Sequence, residues 1–488
     1  MNLLKMLEKL EYTCLMGNAD KEITELVYDS RKVVPGCVFV CISGAVYDGH
    51  TFAKEAIEKG AAAIIIEKEV ELPEAGTIIK VTDTRLALAF MSAAYFDYPA
   101  EKLTTIGITG TKGKTTTTYM IKSILENTGR KVGLIGTIET VIGDKVIPAN
   151  NTTPESYTIQ ETFADMVEAG CECVVMEVSS QGLKLNRVAG FTYDYGIFTN
   201  LGEDHIGGAE HTDFHDYLTS KAKLFRQCKV GLINIDDEHA EQILEGHTCQ
   251  VETFGFDEKA DIKALHIKLV QKPGYLGIAY DVEGLMQLSV DMNIPGKFNV
   301  YNSLCALALC RHFGVNNEEI LKVLSHVNVR GRVELVPVSD HFSVMLDYAH
   351  NAMSLQSLLT TLKEYQPKRL VCLFGCGGNR SKSRRFEMGE VSSNMADFTI
   401  VTSDNPRFEE PQDILNDILV GVEKGPGKYI AILDRKEAIR YATSHAEEGD
   451  VIVIAGKGHE DYQEIKGVKY HMDDRELIKE AVAETKHI

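Results

Sequence analysis

The sequence predicts an α/β protein of three domains: a small N-terminal α/β domain, a central domain with a mostly parallel sheet and a phosphate-binding loop, and a C-terminal Rossmann-like, doubly wound domain. Three observations predict it. Short apolar runs alternate with amphipathic helical runs along most of the chain, the signature of βα units. One such run, 103–108, ends in a glycine-punctuated turn and passes at once into a helical pattern. The chain has 488 residues, which at roughly 100–200 residues per domain suggests about three domains. Breaks at Tyr98-Pro99-Ala100 and at Gly331-Arg332 divide it into 1–100, 101–332 and 333–488.

In 1–100, residues 37–41 and 62–66 read as strands and 52–59 as a short helix. Asp29-Ser30-Arg31 and Tyr47-Asp48-Gly49-His50 flank strands, and each by itself is an ordinary polar turn. From residue 103 the pattern is βαβ, with strands at 131–135, 172–178, 194–199 and 229–234 and helices at 114–128, 155–169 and 213–227. Asn150-Asn151-Thr152-Thr153-Pro154 leads into a helix and could cap it or bind an anion there. Residues 250–295 read as a β-rich excursion, and Asn299-Val300-Tyr301-Asn302 opens an apolar helix from Ser303 to Phe313. The last series has strands at 342–347, 369–374, 397–402, 428–433 and 450–455, separated by helices at 353–364, 384–394, 411–422 and 434–445, with a final helix at 473–486.

Composition bounds the function. The 44% hydrophobic and 25% charged residues suffice for a core in each domain. A formal net charge of −20 argues against non-specific binding to nucleic acid or to anionic membranes. The 11 cysteines form no C-x-x-C pair, and Cys37, Cys41, Cys171, Cys173, Cys372 and Cys376 lie in apolar or glycine-rich runs that make them small core residues. With no secretory signal and no membrane-spanning run, the expectation is a reducing, cytoplasmic setting and no membrane insertion.

The chemistry concentrates at the ends of the expected strands, where open parallel sheets place ligands. Gly110-Thr111-Lys112-Gly113-Lys114-Thr115-Thr116 is a short phosphate cradle; Ile108 occupies the position of the first glycine in the longer G-x-x-x-x-G-K-[ST] pattern. Glycines let the backbone approach phosphates, the helix N-terminus favours their charge, Lys114 reaches the β/γ-phosphates, and the Thr115 hydroxyl suits Mg²⁺. Such a cradle by itself fits a kinase, a hydrolase, a ligase or a switch. Thr115, Glu177 and His205 follow strands of one sheet and can converge on a metal. Lys221, inside a helical pattern, reads as a surface lysine.

Taken together, Gly110 to Thr116, Asn151-Thr152-Thr153-Pro154, Met176-Glu177-Val178-Ser179-Ser180, Thr199-Asn200-Leu201 with Asp204-His205, the Tyr217/Lys221/Leu224-Phe225 spacing, Asn299 with Asn302, Gly331-Arg332, Asp347-Tyr348-Ala349-His350, Asp404-Asn405-Pro406-Arg407 and Gly456-Lys457-Gly458-His459-Glu460 resemble the Mur ligases of peptidoglycan synthesis. Within that family the chain looks like the branch that adds the third amino acid to UDP-N-acetylmuramoyl-L-alanyl-D-glutamate. The resemblance implies ATP-dependent acyl-phosphate chemistry on small-molecule substrates, a pair of Mg²⁺ ions, and CO₂ held as a carbamate on Lys221, which overrides its reading as a surface lysine. It implies catalytic and metal roles for Lys114, Thr115, Glu177, His205 and Lys221. ATP would be held by Gly110, Thr111, Lys112, Gly113, Lys114, Thr115, Thr116, Asn299, Asn302, Arg332 and Asp347. The UDP-sugar peptide would be held by the N-terminal domain and by Ser30, Asn151, Thr152, Thr153, Ser179 and Arg187. The incoming amino acid would be held by Arg385, Asp404, Asn405, Pro406, Arg407, Gly456 and Glu460 of the C-terminal domain. Asp404-Asn405-Pro406-Arg407 favours meso-diaminopimelate, whose distal carboxylate suits Arg407, over L-lysine. A monomer is expected. The sequence departs from the family at 204–211, at Leu185, where a glutamine is common, at Ala352, where a proline is usual, and at Arg384-Arg385-Phe386. The rival readings are a related amide ligase such as folylpolyglutamate synthase, a nucleotide-gated binding protein, and a P-loop hydrolase.

Overall fold

A computed structural model describes residues 1–44, 47–73, 75–203, 206–207, 210–272 and 274–485. The chain forms two compact units, Met1–Asp261 with Leu304–Val315, and Ile262–Ser303 with Asn316–Ile488.

The first unit contains two sheets. The smaller has the order Thr13–Met16, Thr77–Lys80, Ala63–Ile66, Val38–Val40, Leu26–Val27, with only Thr13–Met16 antiparallel to its neighbour. Ala63–Ile66 is wholly buried, as its unbroken apolar run requires. The helix Thr84–Tyr95 covers one face with Ala87, Leu88 and Met91, and Asp83 caps it by accepting from Arg85 N and Leu86 N. The amphipathic start of the chain supplies Leu3, Met6 and Leu7 to the same core.

The larger sheet of this unit runs Gln250–Gly255, Cys228–Asn234, Tyr193–Phe198, Thr104–Thr109, Cys173–Glu177, Val132–Ile135, all parallel, followed by the antiparallel hairpin Glu139–Ile142 and Lys145–Pro148. Its register pairs Ile108 with Glu177 and with Ile197, so the chain leaves three neighbouring strands at one edge of the sheet. The helices Lys114–Asn127 and Ser156–Glu168 follow the strands Thr104–Thr109 and Val132–Ile135 and bury Met120, Ile121, Ile124, Ile159, Phe163 and Met166.

The second unit holds the antiparallel strands Ile262–Lys272, Tyr275–Gly284 and Leu288–Met292 and a six-stranded sheet. That sheet has the order Glu334–Val336, Ser343–Asp347, Asp450–Ala455, Arg369–Phe374, Phe398–Val401, Lys428–Ala431, parallel except at Glu334–Val336. The helices Ala352–Lys363, Lys382–Met395, Pro411–Val422, Arg435–Ser444 and Asp474–Thr485 accompany it. The strand Asp450–Ala455 lies between Ser343–Asp347 and Arg369–Phe374, so the strand order reverses there, the kind of point at whose carboxyl ends open α/β sheets take ligands.

The α/β class and the order of elements agree with the expectation. Differences have local causes. Asn151 is exposed and does not cap the helix Ser156–Glu168; Glu155 does, accepting from Ser156 N at 3.2 Å. The expected helix at 213–227 is α-helical only over Phe214–Ala222 and tightens to a 3₁₀ turn at Lys223–Arg226. The apolar helix begins at Lys297 rather than Ser303, running Lys297–His312. The expectation missed two hairpins, Glu139–Ile142 with Lys145–Pro148 and Tyr462–Ile465 with Val468–His471, because half-exposed polar strands carry little apolar signal. The Cys37, Cys41, Cys171, Cys173, Cys372 and Cys376 thiols are buried, as expected of core residues.

Candidate active site

In the first unit the site grows from the turn after Thr104–Thr109. Gly113, at φ +87°, turns the chain into the helix Lys114–Asn127. A Cβ at Gly110 would overlap the Thr199 hydroxyl, so only glycine lets the two loops meet. Thr199 Oγ1 donates to Lys112 O at 2.7 Å, and Asn200 both accepts from Lys112 N and donates to Lys112 O, each at 3.0 Å. The loop after one strand thus latches the phosphate loop after its neighbour.

Two ammonium groups converge on this turn. Lys114 Nζ donates to Gly110 O at 2.7 Å, and Lys221 Nζ donates to the same oxygen at 2.9 Å. Lys221 is 1% exposed and lies 4.6 Å from the centre of the Tyr217 ring, whose hydroxyl is 3.0 Å from Thr111 Oγ1. The surface reading of Lys221 is therefore overturned. The helix Phe214–Ala222 buries Tyr217, Leu218, Lys221 and Ala222 as one stripe, and the lysine is part of it.

Glu177, at the last position of its strand and 1% exposed, faces the start of the phosphate-loop helix. Its carboxylate accepts from Thr115 Oγ1, Thr137 Oγ1 and Thr137 N, all at 2.9 Å. Thr137 Oγ1 lies 3.0 Å from Thr152 Oγ1. A buried carboxylate ringed by threonine hydroxyls is a hard oxygen donor set, and it fits Mg²⁺. His205 lies outside the described residues. Thr137 was missed by the sequence reading; its only signal is its place two residues after the strand Val132–Ile135.

Behind Glu177, Thr153 Oγ1 donates to Glu177 O at 3.0 Å and accepts from Ser179 N at 2.9 Å. Ser179 caps the helix Ser180–Lys184 through Gly182 N. Arg187 donates to Thr153 O at 3.1 Å and sits 3.6 Å from Glu155. Thr152, Thr153, Ser179 and Arg187 thus form one hydrogen-bonded neighbourhood around Glu177. Ser30 stands apart, in the 3₁₀ turn Ser30–Lys32 beside the smaller sheet. His211 closes the segment 204–211 that departs from the family, and no motif marks it in the sequence. His211 is buried, with Nε2 2.9 Å from Ser180 Oγ and its ring edge-on to Tyr217 at 5.2 Å. Burial pushes its pKa down.

The remaining candidates belong to the second unit, and those of the six-stranded sheet cluster at the carboxyl ends of its strands. Asp347 closes its strand and accepts from Val333 N and Ala349 N, at 2.9 and 2.8 Å. The Arg332 guanidinium stacks 4.9 Å over Tyr348. On the helix Lys297–His312, Asn302 Nδ2 donates to Asn299 Oδ1 at 2.8 Å. A Cβ on Gly456 would come 2.9 Å from the Asp404 carboxylate, so Asp404 packs against bare backbone. Asn405 donates to Glu460 Oε2 at 2.7 Å and accepts from Glu464 N at 2.8 Å. Burial, with Asp404 nearby, pushes the Glu460 pKa up. Arg407, in the left-handed region at φ +53°, is held on both sides of its backbone by the hairpin: its N donates to Glu464 O at 2.9 Å and its O accepts from Lys466 N at 2.7 Å. Its side chain donates to Gly378 O at 2.7 Å and lies 3.3 Å from Glu464. Arg385 is buried and engaged by Glu409 and Asp417, each at 2.8 Å. The hairpin Tyr462–Ile465 and Val468–His471 thus sets the backbone of Asp404-Asn405-Pro406-Arg407, a role the sequence reading missed.

A short phosphate loop, a metal-suited carboxylate behind it and two lysines on it, Lys114 half-buried and Lys221 buried, define a P-loop nucleotide-binding α/β protein. Residues 22–96 match the family described as "Mur ligase family, catalytic domain", 108–310 the Mur ligase middle domain, and 331–458 the domain described as "Mur ligase, glutamate ligase domain". The chain belongs to the Mur ligase family. It is 44% identical over 485 residues to the UDP-N-acetylmuramoyl-L-alanyl-D-glutamate--2,6-diaminopimelate ligase of Clostridium perfringens, covering 98% of this chain and 99% of the relative. A protein named UDP-N-acetylmuramoyl-L-alanyl-D-glutamate--2,6-diaminopimelate ligase 1, from Clostridium acetobutylicum, is 43% identical over 487 residues, covering 99% and 100%. A solved structure of a UDP-N-acetylmuramoyl-L-alanyl-D-glutamate--2,6-diaminopimelate ligase is 28% identical, covers 100% of both chains and superposes with a TM-score of 0.75.

Proposed function

We propose that this chain is an ATP-dependent ligase that joins meso-diaminopimelate to the D-glutamyl carboxylate of UDP-N-acetylmuramoyl-L-alanyl-D-glutamate, in the assembly of peptidoglycan precursors. The observation that carries the reading is the full-length likeness to relatives named for that ligation, at 44% identity.

A carboxylate oxygen attacks the γ-phosphorus of ATP, the bond to ADP breaks, and an acyl phosphate forms. The amine nitrogen then attacks the acyl carbon, and the tetrahedral intermediate expels phosphate as the amide forms. The first step brings two anions together, and the Lys114 ammonium at Gly110 O offers compensating charge. Thr115, Glu177 and, as a carbamate, Lys221 would hold Mg²⁺ together with His205. A bound ion there would screen the repulsion between carboxylate and γ-phosphate. The buried place of Lys221 supports the carbamate reading, because an anion there would be held beside that ion rather than left in solvent. Two ions, a cytoplasmic location and a monomeric state complete the proposal. No helix among the described residues is long and apolar enough to cross a membrane.

We assign the N-terminal domain, 1–100, with Ser30, Asn151, Thr152, Thr153, Ser179 and Arg187, to the UDP-sugar peptide, and 101–332 with Asp347 to ATP. The C-terminal domain, 333–488, with Arg385, Asp404, Asn405, Pro406, Arg407, Gly456 and Glu460, is assigned to the amino acid. The geometry around Arg407 supports diaminopimelate: a guanidinium held by one backbone carbonyl and one carboxylate can still take a distal carboxylate, which L-lysine lacks. The test is ADP release with UDP-N-acetylmuramoyl-L-Ala-D-Glu and a panel of amines. Turnover that depends on diaminopimelate is expected. Turnover with no amine dependence would refute the ligase reading, and a preference for L-lysine would refute the selectivity argument.

A further inference from the structure

A cavity in the first unit lies at the opposite end of the sheet from the ligase site. It has a volume of about 510 Å³, and its wall includes Leu103, Asp194 and Lys229. These residues stand at the amino ends of Thr104–Thr109, Tyr193–Phe198 and Cys228–Asn234, whereas the phosphate loop leaves the carboxyl end of the first of these strands. The helix Thr84–Tyr95 supplies Leu86, Phe90 and Ala93, and Phe191 adds a second aromatic face.

Two features say what would fill it. The first is Gln160, on the helix Ser156–Glu168, which contributes to the wall with 1% of its surface exposed. Its Oε1 is buried with no hydrogen-bond partner among the described residues. Buried carboxamides are otherwise almost always satisfied, and leaving one unsatisfied is costly. The second is charge: Lys229 pairs with Asp194 at 2.7 Å, and Lys9 lies 3.9 Å from Glu101 and 4.0 Å over the Tyr98 ring. The cations of the wall are matched by its anions, so the cavity selects against a charged ligand. Ligand pockets of roughly 300–1,000 Å³ with mostly apolar walls and a few placed polar groups hold small molecules.

We infer a second ligand site here, separate from the ligase centre, for a flat uncharged molecule of the lactam or carboxamide class. Its ring lies against Phe90 and Phe191, and its N–H donates to Gln160. The inference is independent of the ligase reading, since it rests on a cavity that no step of the ligation uses.

The probe is 2-quinolone, a bicyclic lactam, followed by ligand-observed NMR titration on the full chain. Saturable binding is expected, unchanged by saturating ATP and UDP-N-acetylmuramoyl dipeptide. It should weaken about tenfold or more for 1-methyl-2-quinolone, which lacks the N–H, and for Gln160→Leu. The methylated probe tests the contact on unaltered protein, so a Gln160→Leu chain that fails to fold leaves the test intact. No saturable binding would mean that water fills the cavity and would overturn the inference. So would equal affinity for the two quinolones, or displacement of 2-quinolone by ATP or the UDP-dipeptide.

Discussion

Replacing Glu177 with glutamine separates a charge from a shape. The carboxylate accepts three hydrogen bonds at 2.9 Å, two at Oε2 from the Thr115 and Thr137 hydroxyls and one at Oε1 from Thr137 N. A glutamine can keep its oxygen toward Thr137 N and turn its NH₂ to the two hydroxyls, which can reverse and accept. All three bonds then survive, and only their charge assistance is lost. The expected fall in stability is about 1–2 kcal/mol. At about 2–4 °C per kcal/mol, that is a melting shift of several degrees at most. Activity should fall far more. Removing an electrostatic group preorganised for the transition state costs on the order of 10²–10³-fold in turnover, and a lost metal ligand should also raise the Mg²⁺ needed for half-maximal rate. The assay is ADP release across a Mg²⁺ titration, with UDP-dipeptide and diamino acid saturating, beside a melting curve. Glu177→Gln with unaltered turnover and Mg²⁺ dependence would reduce the carboxylate to a structural acceptor and refute the metal assignment.

Three further outcomes follow from the geometry. Lys221→Ala should abolish ADP release and not recover with added bicarbonate, because the group that sits 2.9 Å from Gly110 O is gone; wild-type-like turnover would refute a carbamate role. Glu464→Gln should lower KM for diaminopimelate about 1.4- to fivefold by releasing Arg407 from a part-exposed pair worth about 0.2–1 kcal/mol. KM for L-lysine should not change, and an equal change for both amines would show that the hairpin rather than the charge is responsible. Burial, reinforced by Arg332, Arg330, Arg475 and Lys457, pushes the His459 pKa down to about 3, against about 6.5 unfolded. Between those values the unfolded chain binds the extra proton, so this residue's contribution to stability is full above pH 6.5 and is lost as pH falls toward 3. The slope is at most about 1.4 kcal/mol per pH unit, less for the ring's partial exposure. His459→Asn should therefore lose less melting temperature than the wild type between pH 7 and pH 5, and parallel curves would refute the assignment.

Legibility of the fold followed burial. The central strands were readable because both faces are covered, so their sequences are unbroken apolar runs: Cys173–Glu177 is buried at every position. The hairpin Tyr462–Ile465 and Val468–His471 was not readable, because its second strand is exposed throughout and reads as loop. Its function was equally hidden. It acts through backbone hydrogen bonds that hold Arg407 at φ +53°, and such bonds leave no trace in residue type. The same holds for Thr137, whose hydroxyl bridges Glu177 and Thr152 from a strand end with no motif around it.

Lys221 shows how a wrong reading could have been right on physical grounds alone. A lysine in a helix is usually solvated, and that prior placed it on the surface. Yet Tyr217, Leu218, Lys221 and Ala222 occupy positions i, i+1, i+4 and i+5, a buried stripe at helical spacing, and a lysine inside such a stripe must bury its ammonium with it. A buried cation is costly unless a partner compensates it. Protein supplies part of the compensation through Gly110 O and the Tyr217 ring. Those partners are a neutral carbonyl and a π face, and the same carbonyl already takes Lys114. Both ammonium groups thus stand at the phosphate loop, where the charge of a bound nucleotide would meet them. The spacing that buries this lysine is therefore also what brings it to the turn.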